Sequence, residues 1–156
     1  MKKIFTISLI MIMSIGLISC SSGDDDPVSG CTDPNSINYN SNATENDNSC
    51  QYSIVGEWLI TKYTLGSLDV KASYSEMYME IYDDNSIYFE NTLLDGSTLI
   101  ITGQYTVGGT NNSRLNITNE FGDTTIWDVL EITSNSIKIY SSDVLGEVAN
   151  IEGIKI

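Results

Sequence analysis

The chain has 156 residues, enough for a single domain with a modest core. Seven Lys and Arg stand against 21 Asp and Glu, a formal net charge of -14, and there is no His. So acidic a chain repels nucleic acid and anionic headgroups, and it lacks both the commonest general base and the commonest metal ligand.

The first nineteen residues read as a removable leader. Met1-Lys2-Lys3 is a short basic start, and Ile4 to Ile18 is an apolar run interrupted only by Thr6, Ser8, Ser14 and Gly16. About fifteen residues fall short of the roughly twenty that a membrane span needs, and they suit a secretory signal peptide. Leu17-Ile18-Ser19-Cys20 resembles the lipobox of bacterial lipoproteins at all four positions. That resemblance implies that Cys20 becomes the first residue of the mature lipoprotein and carries acyl chains such as palmitate, which tether it to a membrane without a protein span. Residues 20–30 then form an acidic linker. Its Ser21-Ser22-Gly23-Asp24-Asp25-Asp26 suits a solvated spacer. It also resembles the acidic signal that sends some Gram-negative lipoproteins to the outer face of the outer membrane, so a cell-surface location is expected.

Residues 31–52 form a cysteine-bounded segment. With Cys20 assigned to lipid, Cys31 and Cys50 remain, and export to an oxidising compartment predicts a disulfide between them. Closing a loop of this size contributes about 3 kcal/mol by restricting the unfolded chain. The loop has almost no core-forming residues and is rich in Asp and Asn. Cys31-Thr32-Asp33-Pro34, Asn38-Tyr39-Asn40 and Asp47-Asn48-Ser49-Cys50 resemble a short repeat of bacterial surface proteins. Hard oxygen ligands on a constrained loop suit calcium, with Asp33, Asn35, Asn40 and Asp47 as candidate ligands. The spacing does not fit an EF-hand loop. A calcium-stiffened segment and a plain disulfide-tied spacer both remain open.

Residues 53–156 change character, with Tyr, Ile, Thr, Val and Leu in short runs between regularly spaced turns. That pattern predicts an all-β domain, a barrel or a β-sandwich. Gly56-Glu57-Trp58 opens it, and only Leu68 to Tyr74 is ambiguous. Met77, Met79 and Ile81 alternate with Glu76, Tyr78, Glu80 and Tyr82. Asp83-Asp84-Asn85-Ser86 and Asp95-Gly96 have turn chemistry. Ile87, Phe89 and Leu93 share a face. Leu99, Ile101, Tyr105 and Val107 share another with Gly103, where a bend or close backbone approach is expected. Leu115 and Ile117 anchor the next strand. Thr124 to Thr133 carries Ile126, Leu130 and Ile132 on one face and Trp127 and Val129 on the other, predicting a strand covered on both sides or lying at a junction. Ile137 and Ile139 mark another strand, and Val148 to Ile156 the last. About eight strands in meander order are expected, a number at which a barrel holds side chains or one small ligand.

Gly56-Glu57-Trp58 at the head of such a meander resembles the Gly-x-Trp signature of lipocalins and related calycin barrels. The acidic turn before Ile87-Tyr88-Phe89, and Gly103-Gln104-Tyr105, resemble features of the lipocalin-like domain of small bacterial lipoproteins. The resemblance implies an eight-stranded antiparallel barrel with Trp58 packed across one end. Lys155 is the nearest candidate for the cation that lipocalins often stack over that Trp. If the barrel is hollow, Met77, Met79 and Tyr105 line it and a small apolar or amphipathic molecule is the expected ligand.

No phosphate-cradling Gly loop or nucleophile elbow is present. Glu76, Glu80 and Glu90 fall on the outer face by strand alternation. The sequence therefore predicts a non-enzymatic, monomeric surface lipoprotein. Its alternative is a structural or adhesive module with a solid β core.

Overall fold

The computed structural model describes residues 26–109, 113–142 and 148–156. The leader, Cys20 and Ser21 to Asp25 lie outside them, and so do the expectations placed there. Ahead of the barrel, β1 (Ser29–Gly30) and β2 (Glu45–Asn46) make a short parallel bridge. The Cys31–Cys50 disulfide closes the loop containing β2. The segment is otherwise held by turns and by polar bonds across the loop, among them Asn38 Nδ2 donating to the Ser49 carbonyl at 2.7 Å and the Gln51 N–H donating to Asn38 Oδ1 at 2.8 Å.

The remaining strands are β3 (Gly56–Leu65), β4 (Leu68–Asp69), β5 (Tyr74–Ile81), β6 (Ser86–Leu93), β7 (Thr98–Gly108), β8 (Arg114–Asn119), β9 (Thr124–Ile132), β10 (Ser136–Ser142) and β11 (Val148–Lys155). β4 is a two-residue appendage on the end of β3, and the ambiguous Leu68 to Tyr74 resolves into it and a single 3-10 turn at Lys71–Ser73. The other eight strands pair antiparallel in meander order, and β11 returns to β3 with Ala149 opposite Leu65 and Lys155 opposite Trp58. The sheet is closed, so the barrel holds and the sandwich does not. Closure gives each of the eight barrel strands a partner on both sides, which removes the free edges an open sheet would offer another chain.

The alternation read from the sequence decides what fills the barrel. Trp58, Ile60, Met77, Met79, Ile81, Ile87, Tyr105, Leu115, Ile117, Trp127, Ile137, Ile139 and Ile151 form one buried cluster. Phe89 packs edge-to-face on Trp127 at 5.6 Å between ring centroids. At one end Trp58 is fully buried, its indole N–H donating to the Ile54 carbonyl at 2.9 Å. Lys155 Nζ lies 5.3 Å from the Trp58 ring centroid and donates to the Val55 carbonyl at 3.0 Å. The expected cation over the Trp is thus a lysine. Gly56 enters this corner at φ +138°, a conformation that side chains rarely adopt.

Strict alternation fails on three strands, each time at a bulge. Glu131 is opposite Lys138 and Val129 opposite Ile139, so Leu130 is the extra residue on β9. The bulge reverses facing: Val129 and Ile132 both pack on the core, while Leu130 is 64% exposed and Ile126 43%. The expectation that Ile126, Leu130 and Ile132 share a face, on a strand covered on both sides, is therefore corrected. β3 does the same at Thr61, so Trp58 and Ile60 point inward and then Tyr63 and Leu65 do. β5 carries the third, at Ser75. On β7, Tyr105 is buried and Ile101 half-buried, but Leu99 and Val107 near the strand ends are 47% and 45% exposed.

Gly103 marks the close approach expected of it. A Cβ there would sit 2.6 Å from the Thr118 carbonyl oxygen, which is backbone and cannot swing aside. Replacing Gly103 with Ala should therefore destabilise the barrel by about 1–3 kcal/mol. Urea denaturation followed by tryptophan fluorescence measures this as a lower midpoint at unchanged slope.

Candidate functional site

The meander sorts the turns to two ends. Trp58, the Tyr82 to Asn85 turn and Lys155 lie at one end. The Leu94 to Ser97 turn, the Glu120 to Asp123 turn and the 3-10 turn lie at the other. A cavity of about 380 Å³ enters the barrel from this second end, within the range of pockets that hold small molecules. Its inner wall is apolar, made by Ile60, Met77, Met79, Phe89, Ile117 and Trp127. Towards the mouth Asn91, Asn119, Asp123 and Thr125 replace them. This change follows directly from strand order, because Ile117 and Asn119 are successive inward positions on β8, as Phe89 and Asn91 are on β6. Around the mouth, Leu68 on β4 and Leu94 and Phe121 on two turns are exposed.

Of the three cavity residues expected from the sequence, Met77 and Met79 line the space. Tyr105 is buried nearer the closed end, and its hydroxyl donates to the Tyr82 carbonyl at 2.8 Å. It fills the floor rather than the pocket. Trp58, opposite Met79 in the β3–β5 pairing, likewise seals the end. The polar mouth was not anticipated, although Asn91 and Asn119 fall on inward positions that the alternation itself specifies.

The mouth is anchored by Asn119. Its side-chain oxygen accepts from the backbone N–H of Phe121 at 3.0 Å and of Asp123 at 2.9 Å, and its amide donates to Asp123 Oδ2 at 3.3 Å. With Gly122 at φ +89°, these bonds close the β8–β9 turn and hold the Asp123 carboxylate at the cavity entrance.

The candidate calcium ligands are engaged locally. Asp33 Oδ1 accepts from the Asn35 backbone N–H at 2.9 Å and its Oδ2 from the Tyr52 hydroxyl at 2.7 Å. Asn40 Oδ1 accepts from Asn42 N–H at 3.0 Å and Asp47 Oδ1 from Ser49 N–H at 2.9 Å. Hydrogen bonding from Asn35 chiefly, and from Ser49 in turn, holds the Asp33 and Asp47 carboxyls below the usual carboxylate range. Among the described residues, no three His, Cys, Asp or Glu side chains converge to hold a metal ion. Asp33, Asn40 and Asp47 each close a turn with their own side chain, and Asp33 also ties its turn to Tyr52.

Outside the barrel, β5 and β6 present a tyrosine–carboxylate face. Glu80 accepts from Tyr82 at 2.5 Å and from Tyr78 at 3.2 Å, and Glu90 accepts from Tyr88 at 2.6 Å. Burial first, and then the bond to Glu80, pushes the Tyr78 hydroxyl well above its ordinary value. The bond to Glu80 pushes Tyr82 up to about 12.

No family model matches the chain, and no curated protein matches it. Solved structures similar to it include an uncharacterized protein from Bacteroides eggerthii, with 13% identity over 67% of this chain and 100% of that one and a TM-score of 0.47. A lipocalin-like protein from Bacteroides uniformis has 16% identity over 65% and 97%, with a TM-score of 0.46. Lobster apocrustacyanin A1 has 19% identity over 64% and 58%, with a TM-score of 0.42. At such values no function passes from them to this chain. The lipocalin-like barrel rests on its own strand pairing.

The outer face gives a direct test. A raised folded-state value means that Tyr82 favours folding below the ordinary tyrosine range, a contribution lost as pH rises from about 10 through about 12. Tyrosinate absorbance should show a group ionising near 12, and Glu80→Gln should return it towards 10.

Proposed function

We propose that the protein is a non-catalytic, lipid-anchored surface lipoprotein whose barrel binds one small apolar or amphipathic molecule. The observation that carries the binding reading is the apolar cavity of about 380 Å³, closed at the Trp58 end and open at the other. An interior packed solid would support the structural or adhesive module instead. Small-molecule sites are concave and mostly apolar, with a few placed polar groups that fix orientation. The cavity has that composition, and Met77 and Met79 add thioether side chains that adapt to an apolar guest. The absence of His throughout the sequence supports the non-catalytic reading.

The anchoring half of the proposal rests on Leu17-Ile18-Ser19-Cys20 and on the acidic residues that follow. Cys20 is assigned the acyl chains, and the outer face of the outer membrane is the assigned location. The Cys31–Cys50 segment would then be a stiffened spacer between lipid and barrel. Nothing in its turns requires calcium.

The neutral fluorophore Nile red should bind the purified protein saturably, one molecule to one. Met77→Trp places a large ring in the cavity and should weaken binding about tenfold or more. It should cost no more than the roughly 1–3 kcal/mol typical of overpacking. Binding unaffected by Met77→Trp would place the dye elsewhere, and absent binding would leave the solid-core alternative. For the anchor, cells fed radiolabelled palmitate should label the wild-type protein and not Cys20→Ser. Protease added to intact cells should cut the wild type. Labelled protein that stays protected would withdraw the surface assignment.

A further inference from the structure

The two ends of the cavity differ in charge as well as polarity. A carboxylate, Asp123, is held at the mouth by the Asn119 bonds, and among the described residues no Lys or Arg lines the space. The described cations are committed elsewhere. Lys62 pairs with Glu152 at 2.8 Å, Arg114 with Asp128 at 2.6 Å and Lys138 with Glu131 at 2.5 Å. Lys155 is at the closed end, over Trp58. Among the described residues, Lys71 is the one cation at the open end. Its ammonium donates to the Tyr74 carbonyl at 3.1 Å and the Ser75 carbonyl at 3.5 Å.

An apolar tail in the barrel brings its head group to the mouth, because burying that head among Met77, Ile117 and Trp127 without a partner would be costly. The head then meets the Asp123 carboxylate and the amides of Asn91 and Asn119, with no lining cation to receive an anion. We infer that the barrel selects amphipathic molecules with a cationic or hydrogen-bond-donating head, such as an alkyl amine, and disfavours those ending in a carboxylate. The inference rests on the ligand-binding reading and names the ligand class of that same cavity. The acidity of the whole molecule acts in the same direction on any approaching ion. Asp123 adds a local preference that persists once the ligand is seated.

Competition against bound Nile red by decylamine, decanol and decanoate tests this, because the tail is constant and only the head changes. Each is used below its micelle threshold. Decylamine should displace the dye at a concentration about five- to tenfold lower than decanoate, with decanol between them, the size expected for one partly screened charge. Asp123→Asn keeps an oxygen for Asn119 and should bring amine and carboxylate within about twofold. Glu57→Gln removes a charge at the closed end and should leave the spread intact. Raising salt should narrow the wild-type spread, a readout that needs no variant. Equal or tighter binding of decanoate, or a spread that survives Asp123→Asn, overturns the inference. A carboxylate preference abolished by Lys71→Ala would overturn it in favour of Lys71. If Nile red itself fails to bind, the ligand-binding reading fails first, which is a different result from binding without head-group preference.

Discussion

The pairing of β11 with β3 is the constraint on which the rest depends. It joins the two ends of a meander whose other contacts are between neighbours, and it places Lys155 opposite Trp58. Without it the sheet has two free edges, and the side chains that now fill the barrel face solvent. With it, Trp58, Lys155 and the carbonyls of Ile54 and Val55 lock into one corner. The barrel is thereby stoppered at one end, which is why its space opens only at the other.

Closure also requires the strands to curl, and the deviations from regular pairing show where they do. Extra residues at Thr61, Ser75 and Leu130 increase local twist and shift side-chain facing by one position. Gly103 lets β7 approach β8 more closely than any side chain would allow. The same devices decide which residues surround the cavity. Tyr63 and Leu65 line its upper wall only because the Thr61 bulge comes before them.

A cavity in a barrel this small leaves few residues for a solid core. The chain divides the work along the strand direction. Aromatic and branched side chains fill the closed half, methionines border the space, and Asn and Asp finish the strands at the mouth. Polar groups there remain in reach of water, which keeps the cost of their partial burial small. In the binding role proposed above, they would discriminate among head groups, while the apolar interior would accept many tails. The exterior is acidic and tyrosine-rich, with hydroxyls bonded to neighbouring carboxylates along β5 and β6.

Much of this is legible from residue order, because period-two alternation is local chemistry. Met77 with Met79, Leu115 with Ile117 and Ile137 with Ile139 can be assigned inward from the chain itself, as can the turns at Asp83 to Ser86 and Asp95-Gly96. The pairing expected between Cys31 and Cys50 is the one the structure has, with an S–S distance of 2.03 Å. Bulges are different. Whether Leu130 faces in or out depends on how β9 registers against β10, and that offset is fixed only when the barrel closes. Tyr105 lies on the inward face, yet only the three-dimensional arrangement puts it below the cavity instead of beside it. Sequence alone thus determined an all-β meander headed by Gly56-Glu57-Trp58, with its alternating faces. Tertiary structure decided that the interior holds a cavity, which end it opens from, and that Asp123 lies at its entrance. A void and its entrance arise from all the strands together, so no stretch of residues carries them alone.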